Sequence, residues 1–317
     1  MALTDPRLYY KPFEYPQAFE YFEKQHRVHW LASEVPLASD LSDWNSKLTP
    51  SEKNLIGNIL KSFTQTEIHV NEYWSGKVAV WFPKFEIQAA ARAMADFESI
   101  HAQSYARLNE ELGLDDFQAF LEDESAKSKI DRLIETPGDT LREKALSLAI
   151  FSAFTEGVNL FSSFAVLMSF QLRNLLKGTA QIVEYSVRDE SLHSEFGCYL
   201  FRTLMEENPE LNTKEFEQEI YEACDLSIKL EFDFIDKAFE MGEIANLNKA
   251  QLKNYILERA NQKLLELGYQ PLYSDIDQEL LNQMSWFGSL TRGKSHTDFF
   301  ASTSTDYSLS IADWSDL

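Results

Sequence analysis

The sequence predicts an all-α helical bundle followed by a polar tail, and three observations carry that expectation. Alternating β-branched runs and Asn-Gly hairpin turns are sparse or missing, whereas apolar residues recur at three-and-four spacing from about residue 50 to 285. The segment 145–170, ALSLAIFSAFTEGVNLFSSFAVLMSF, is apolar on every side, as the central helix of a large bundle is. After about residue 289 the periodicity stops and the chain turns polar and rich in Ser, Thr and Asp.

The elements follow in order. Thr49-Pro50-Ser51-Glu52 combines a capping threonine, a first-turn proline and a glutamate three residues after the cap, so a helix is expected over 51–74. Gly76 and Pro83 punctuate the chain before a second helix over 84–112. Pro137-Gly138 precede a third over 140–177, and Gly178 separates it from a fourth over 180–207. Pro209 closes that one, with more helix after 213. No Pro/Gly/Ser-rich linker divides the chain, so 1–288 reads as one domain and 289–317 as a flexible tail.

Composition narrows the functional classes. With 44% hydrophobic residues the 317-residue chain can fill a sizeable core, and its net charge of −22 disfavours nucleic acid as a partner. Segment 145–170 is long enough to span a bilayer, but Glu156 at its middle and the acidic remainder of the chain favour a bundle over a membrane. The opening MALTDPRLYY has neither the basic nor the apolar region of a secretory signal. Cys198 and Cys224 form no CxxC pattern, so a reduced, cytoplasmic setting is expected.

The chemistry-bearing motif is Glu-x-x-His, present as Glu98-Ser-Ile-His101 and Glu190-Ser-Leu-His193. A spacing of i, i+3 puts both side chains on one helix face, and dimetal bundles take one such pair from each of two helices. Glu23-Lys-Gln-His26 matches as well, but lies in the charged stretch FEKQHR and reads as solvated surface. The other two pairs continue apolar stripes, Met94, Tyr105 and Leu108 in one case and Val183 and Val187 in the other, so they face inward. Such a site also needs one carboxylate from each of two further helices. Glu156 supplies one. Glu67 supplies the other, from the stripe Ile56, Leu60, Phe63, Glu67, Val70, Trp74, while Glu72 and His69 fall off that stripe. Four carboxylates balance two divalent cations, and oxygen-rich ligation with one histidine per metal suits iron or manganese better than zinc or copper.

At these residues the sequence resembles the small (β) subunit of class I ribonucleotide reductase. The resemblance covers about residues 20 to 290 and rests on Glu67, Phe97-Glu98-Ser-Ile-His101-Ala-Gln-Ser-Tyr105, Glu156 and Val187-Arg188-Asp189-Glu190-Ser-Leu-His193. It implies a ferritin-like bundle with additional helices, in which an oxidised dimetal cofactor, with or without a tyrosyl radical, supplies a one-electron oxidant for ribonucleotide reduction on a large subunit. Tyr105 would hold the position of the radical tyrosine. Trp30 would be the buried tryptophan of a long-range route, bridged by Asp189 to His101, and Tyr307 the mobile interface tyrosine. The resemblance also implies docking to the large (α) subunit through the C-terminus, a homodimer and an accessory flavoprotein activase.

Two positions depart from the family. Glu67 stands where many members have Asp, and Leu160 where a phenylalanine is common; glutamate at the first position occurs in manganese-using subclasses, which slightly favours dimanganese, with di-iron and mixed Mn/Fe as the alternatives. The alternatives are another ferritin-like dimetal oxidase or oxygenase, and an iron-storage protein. A final motif is a decoy. Gly288-Ser-Leu-Thr-Arg-Gly293-Lys294-Ser295 matches the phosphate-binding P-loop, but its flanks LLNQMSWF and HTDFFASTST offer no strand-to-helix context, so it reads as a loop entering the tail.

Overall fold

A computed structural model describes residues 2–114, 116–117 and 138–291. Tyr307, the apolar tail residues Ile311, Trp314 and Leu317, and Gly293 to Ser295 lie outside them. The helices are α1 (Pro16–Arg27), α2 (Ala38–Ser46), α3 (Pro50–Glu72), α4 (Phe85–Glu111), α5 (Leu141–Leu148), α6 (Phe161–Ser169), α7 (Lys177–Glu207), α8 (Lys214–Ala238), α9 (Lys249–Leu267) and α10 (Gln278–Gln283). Among the described residues the only β feature is an isolated bridge between Ile244 and Leu247.

The expected start of α3 is present as a reciprocal cap. Thr49 Oγ1 accepts from the Glu52 amide at 3.2 Å, and Glu52 Oε2 accepts from the Thr49 amide at 2.9 Å. Thr140 with Glu143 and Asn248 with Gln251 cap α5 and α9 in the same way. Helices α3 and α4 pack together, α7 crosses α4 and the α5–α6 segment, and α8 and α9 close the far side of that segment. Leu141–Arg173 is apolar enough to cross a bilayer, yet 83% of its apolar window is buried inside the protein, as a bundle core requires.

Two helix boundaries differ from expectation. The first helix does not end at 74: the chain passes Gly76 in a π turn, Tyr73–Val78, and continues helically to Trp81. Here glycine permits close approach rather than a break, because a Cβ at Gly76 would lie 2.0 Å from Glu72 Oε1. The expected single helix 140–177 is instead α5, a π-wound stretch Ala149–Asn159, α6 and a short 3-10 turn, stopped by Asn174 at φ 60°. Helix α7 then starts at Lys177, with the Gly178 and Thr179 amides on the Asp40 carboxylate at 2.9 and 2.7 Å. At the other end, residues 285–291 are helical, so Gly288 to Thr291 are not the loop that the decoy motif suggested.

The segment ahead of α1 is built into the fold. Leu3 is buried and its amide donates to Glu207 Oε2 at 2.7 Å. Arg7 makes a two-pronged ion pair with Glu86, the Nη1 distance being 2.8 Å, and the amides of Glu14 and Tyr15 donate to Glu86 Oε1 at 3.0 and 3.2 Å. Burial pushes the Glu86 carboxyl up, but Arg7 and these amides outweigh it and hold it below its ordinary value. Both side chains are 1% exposed or less, and Glu86→Ala removes the nearest counter-charge of the buried guanidinium, leaving it Glu14 at 3.8 Å and the Tyr9 and Tyr10 carbonyls. It is expected to cost about 3–5 kcal/mol in urea unfolding. A loss under about 1 kcal/mol, the range of an exposed pair, would contradict this account.

Candidate metal centre

Six ionisable side chains converge where α3, α4, the π-wound stretch and α7 meet. Glu67 comes from α3, Glu98 and His101 from α4, Glu156 from the π stretch, and Glu190 and His193 from α7; all are 1% exposed or less. Their ligand atoms fall into two compact groups, Glu67, Glu98, His101 and Glu190, and Glu98, Glu156, Glu190 and His193. Glu98 and Glu190 belong to both. His101 Nδ1 lies 3.0 Å from Glu98 Oε2 and 3.2 Å from Glu190 Oε1, while His193 Nδ1 lies 2.6 Å from Glu98 Oε1.

The electrostatics show how costly this cluster is without positive charge. Burial, reinforced by Glu98 and Glu190, holds the Glu67 carboxyl well above its ordinary value, and burial with Glu190 does the same to Glu156. At Glu98 the His193 and His101 imidazoles overcome burial and draw the carboxyl down to about 2. Burial alone would lower both imidazoles, but Glu98 and the surrounding acceptors push His101 and His193 well above theirs. Even so, Glu67 Oε2, Glu98 Oε1, Glu156 Oε2, both Glu190 oxygens and both His193 nitrogens lack a well-formed hydrogen bond. Buried polar atoms left this way, converging from four helices, fit cations rather than a satisfied salt-bridge core. Four carboxylates and two imidazoles are the donor set for two divalent ions of the iron or manganese type.

A family model for "Ribonucleotide reductase, small chain" matches residues 7–279. The chain belongs to that family. This small chain is 33% identical to "Probable ribonucleoside-diphosphate reductase small subunit 048L" of Invertebrate iridescent virus 3, over 99% of its own length and 88% of the relative's. It is 26% identical to the ribonucleoside-diphosphate reductase subunit beta of Chlamydia pneumoniae, over 93% and 88% of the two chains. The fold is shared with the dimanganese(II)-NrdF of Streptococcus sanguinis at a TM-score of 0.77 and 22% identity, covering 88% of the small chain and 99% of that structure.

The other residues named from the sequence fall around the cluster. Trp30, 3% exposed, donates its indole N–H to Asp189 Oδ2 at 2.8 Å, and the same oxygen lies 3.2 Å from His101 Nε2. Asp189 can thus keep Nε2 protonated and leave Nδ1 facing the cluster. Tyr105 is fully buried, its ring 4.8 Å from that of Phe63, and its hydroxyl donates to Ser186 Oγ at 2.8 Å. Burial and then Glu67 hold the Tyr105 hydroxyl well above its ordinary value. Glu23, His26 and Glu72 are exposed, and half-buried His69 stands outside both groups.

Sequence reasoning missed the residues that orient this set. Trp74 was legible only as a member of an apolar stripe, yet its indole N–H donates to Glu156 Oε1 at 2.7 Å. Gln25 donates to Asp189 Oδ1 at 3.2 Å, and Arg188 lies 3.4 Å from that oxygen while holding the Val28 carbonyl at 2.7 Å. No local spacing marks Trp74 or Gln25, because each reaches across from another helix, and Arg188, adjacent to Asp189 in the motif, is fixed by the Val28 carbonyl of a distant connection.

The raised Glu67 carboxyl has a measurable consequence in the metal-free protein. Folding then retains a proton that the unfolded chain releases above about pH 4.5, so this stability is present below that pH and falls away as pH rises. Glu67→Gln imitates the protonated acid at every pH. It is expected to raise the melting temperature of the metal-free protein more at pH 8 than at pH 5; an equal shift at both would contradict the electrostatics.

Proposed function

We propose that Glu67, Glu98, His101, Glu156, Glu190 and His193 hold two metal ions in a radical-generating small subunit of ribonucleoside-diphosphate reductase. The observation that carries this reading is the pair of four-residue groups sharing Glu98 and Glu190, so that these two carboxylates would be within reach of both ions. When bound, the metal pair supplies the one-electron oxidant for ribonucleotide reduction on a large subunit. The hydrogen bonds joining Trp30, Asp189 and His101 would give that oxidising equivalent a path out of the buried cluster, and by the family resemblance Tyr307 would continue it at the interface. A second copy of this chain and a flavoprotein activase complete the assembly that the family implies.

Manganese is favoured over iron, since the first carboxylate is Glu67 and the Streptococcus sanguinis neighbour is a dimanganese(II) protein. Tyr105 bears on where the oxidising equivalent rests. A phenol losing an electron must also lose its proton, and the hydroxyl of Tyr105 donates to Ser186 Oγ, a neutral hydroxyl and a poor base, rather than to a carboxylate. The lack of a basic acceptor favours an oxidant retained at the metals, with Tyr105 as a packed core residue.

The test loads wild type and Tyr105→Phe with manganese or with iron, then compares turnover with the large subunit and the electron paramagnetic resonance signal. Tyr105→Phe is expected to keep at least half of the activity, since it loses one hydroxyl worth about 1–3 kcal/mol of unpaired Ser186. A tyrosyl doublet that tracks activity and disappears with it in the variant would instead assign the radical to Tyr105.

Residues 289–317 form the docking element for the large subunit in this reading, because Ile311, Trp314 and Leu317 are spaced apolar anchors on a polar segment. Deleting 308–317 is expected to leave metal content unchanged and to weaken association with the large subunit at least 100-fold, on the order of 3 kcal/mol. Undiminished affinity by sedimentation or calorimetry would rule the tail out.

A further inference from the structure

We propose that Arg259 is a positioning residue for Glu156, acting through the backbone of Gly157; the inference rests on the reading of the cluster as a two-metal site. Glu156 lies in the π-wound stretch, where helical hydrogen bonds are in a less favourable register than in α winding. The next residue, Gly157, lacks the Cβ that restrains other backbones. A ligand carboxylate mounted there needs its backbone fixed from outside the helix.

Helix α9 supplies that grip. Arg259 directs Nε and a terminal nitrogen at the Gly157 carbonyl oxygen, at 2.9 and 2.6 Å. One turn further along α9, Lys263 lies so close that a Cβ on Gly157 would stand 2.7 Å from Lys263 Cε and 2.7 Å from Ser194 Oγ. The guanidinium is itself immobilised, with its carbon 3.3 Å from the centroid of the Phe161 ring. Phe161 begins α6, so Arg259 clamps the end of the π stretch to the point where α winding resumes. A planar guanidinium can cover a ring with its face while donating two N–H groups from its edge, whereas an ammonium has no such fork.

Glu156 is therefore held at both ends, its carboxylate by Trp74 and its backbone by Arg259. Glu67 and His101 stand on the α-wound helices α3 and α4, so the effect of Arg259 is confined to the group containing Glu156 and His193. Arg259 also lines an open cavity of about 680 Å³, so shortening its side chain seals no void inside the core.

Metal-free wild type, Arg259→Met and Arg259→Lys are titrated with Mn(II) alone, with binding read by equilibrium dialysis and electron paramagnetic resonance and the melting temperature of each metal-free protein measured alongside. Wild type is expected to take two ions as a spin-coupled pair; failure to do so overturns the two-metal reading and the role of Arg259 with it. Arg259→Met is expected to keep one ion at wild-type affinity and to bind the other about 10–100-fold more weakly. It should show the six-line spectrum of an isolated Mn(II), and Arg259→Lys should fall between. If wild type binds two ions and both variants match it, the role of Arg259 is refuted while the two-metal reading stands. Equal weakening of both ions in step with a lower melting temperature also refutes it, as a general loss of stability. Should Arg259→Met not fold, Arg259→Lys decides by the same criteria.

Discussion

Four carboxylates and two imidazoles share one solvent-excluded point, and the rest of the structure is arranged around making that tolerable. Charges of one sign cannot be buried together without compensation. Part of the compensation is internal: Glu67 and Glu156 are pushed towards their neutral forms, and the two histidines towards their charged forms. In the proposed two-metal site cations would complete it by replacing protons, linking metal binding and the stability of the bundle through the same groups.

The surrounding helices act as a frame for this cluster, and the frame is not symmetric. His101 is backed by Asp189, which is itself held by Trp30, Gln25 and Arg188, so one end of the centre is tied by hydrogen bonds to α1 and the connection after it. At the other end, Glu156 stands on π-wound backbone, its carboxylate accepting from Trp74 and the carbonyl of the next residue accepting from Arg259 of α9. The two groups thus offer similar side chains on differently wound backbone.

The apolar core surrounds the cluster. Leu141–Arg173 is covered by α7, α8 and α9, and its aromatic side chains Phe151, Phe154, Phe161 and Phe164 are all buried. A low-dielectric surround strengthens every interaction of the cluster, favourable or not. It also keeps Tyr105 away from solvent.

The fold class and the six cluster residues were legible because they depend on local geometry. A spacing of three or four residues fixes which side chains share a helix face, and the apolar stripes through Glu67, Glu98 and Glu190 set the inward direction before any helix meets another. Helix starts were legible for the same reason, since the Thr49 and Glu52 cap is a contact between near neighbours. Where winding changes was not legible: the π stretch at Ala149–Asn159 has no local signature, being a compromise between helical hydrogen bonds and packing on both sides. Nor could Gly76 and Gly178 be told from helix breakers, because the groups that crowd them belong to other turns and other helices. Trp74 on Glu156 and Arg259 on Gly157 link residues 82 and 102 positions apart, and Asp189 on His101, 88 apart, was legible through the family resemblance and not through spacing. The sequence by itself determined which residue types face inward; only the tertiary structure decided which atoms they meet, since the direction of a donor across a helix interface is set by packing and not by spacing.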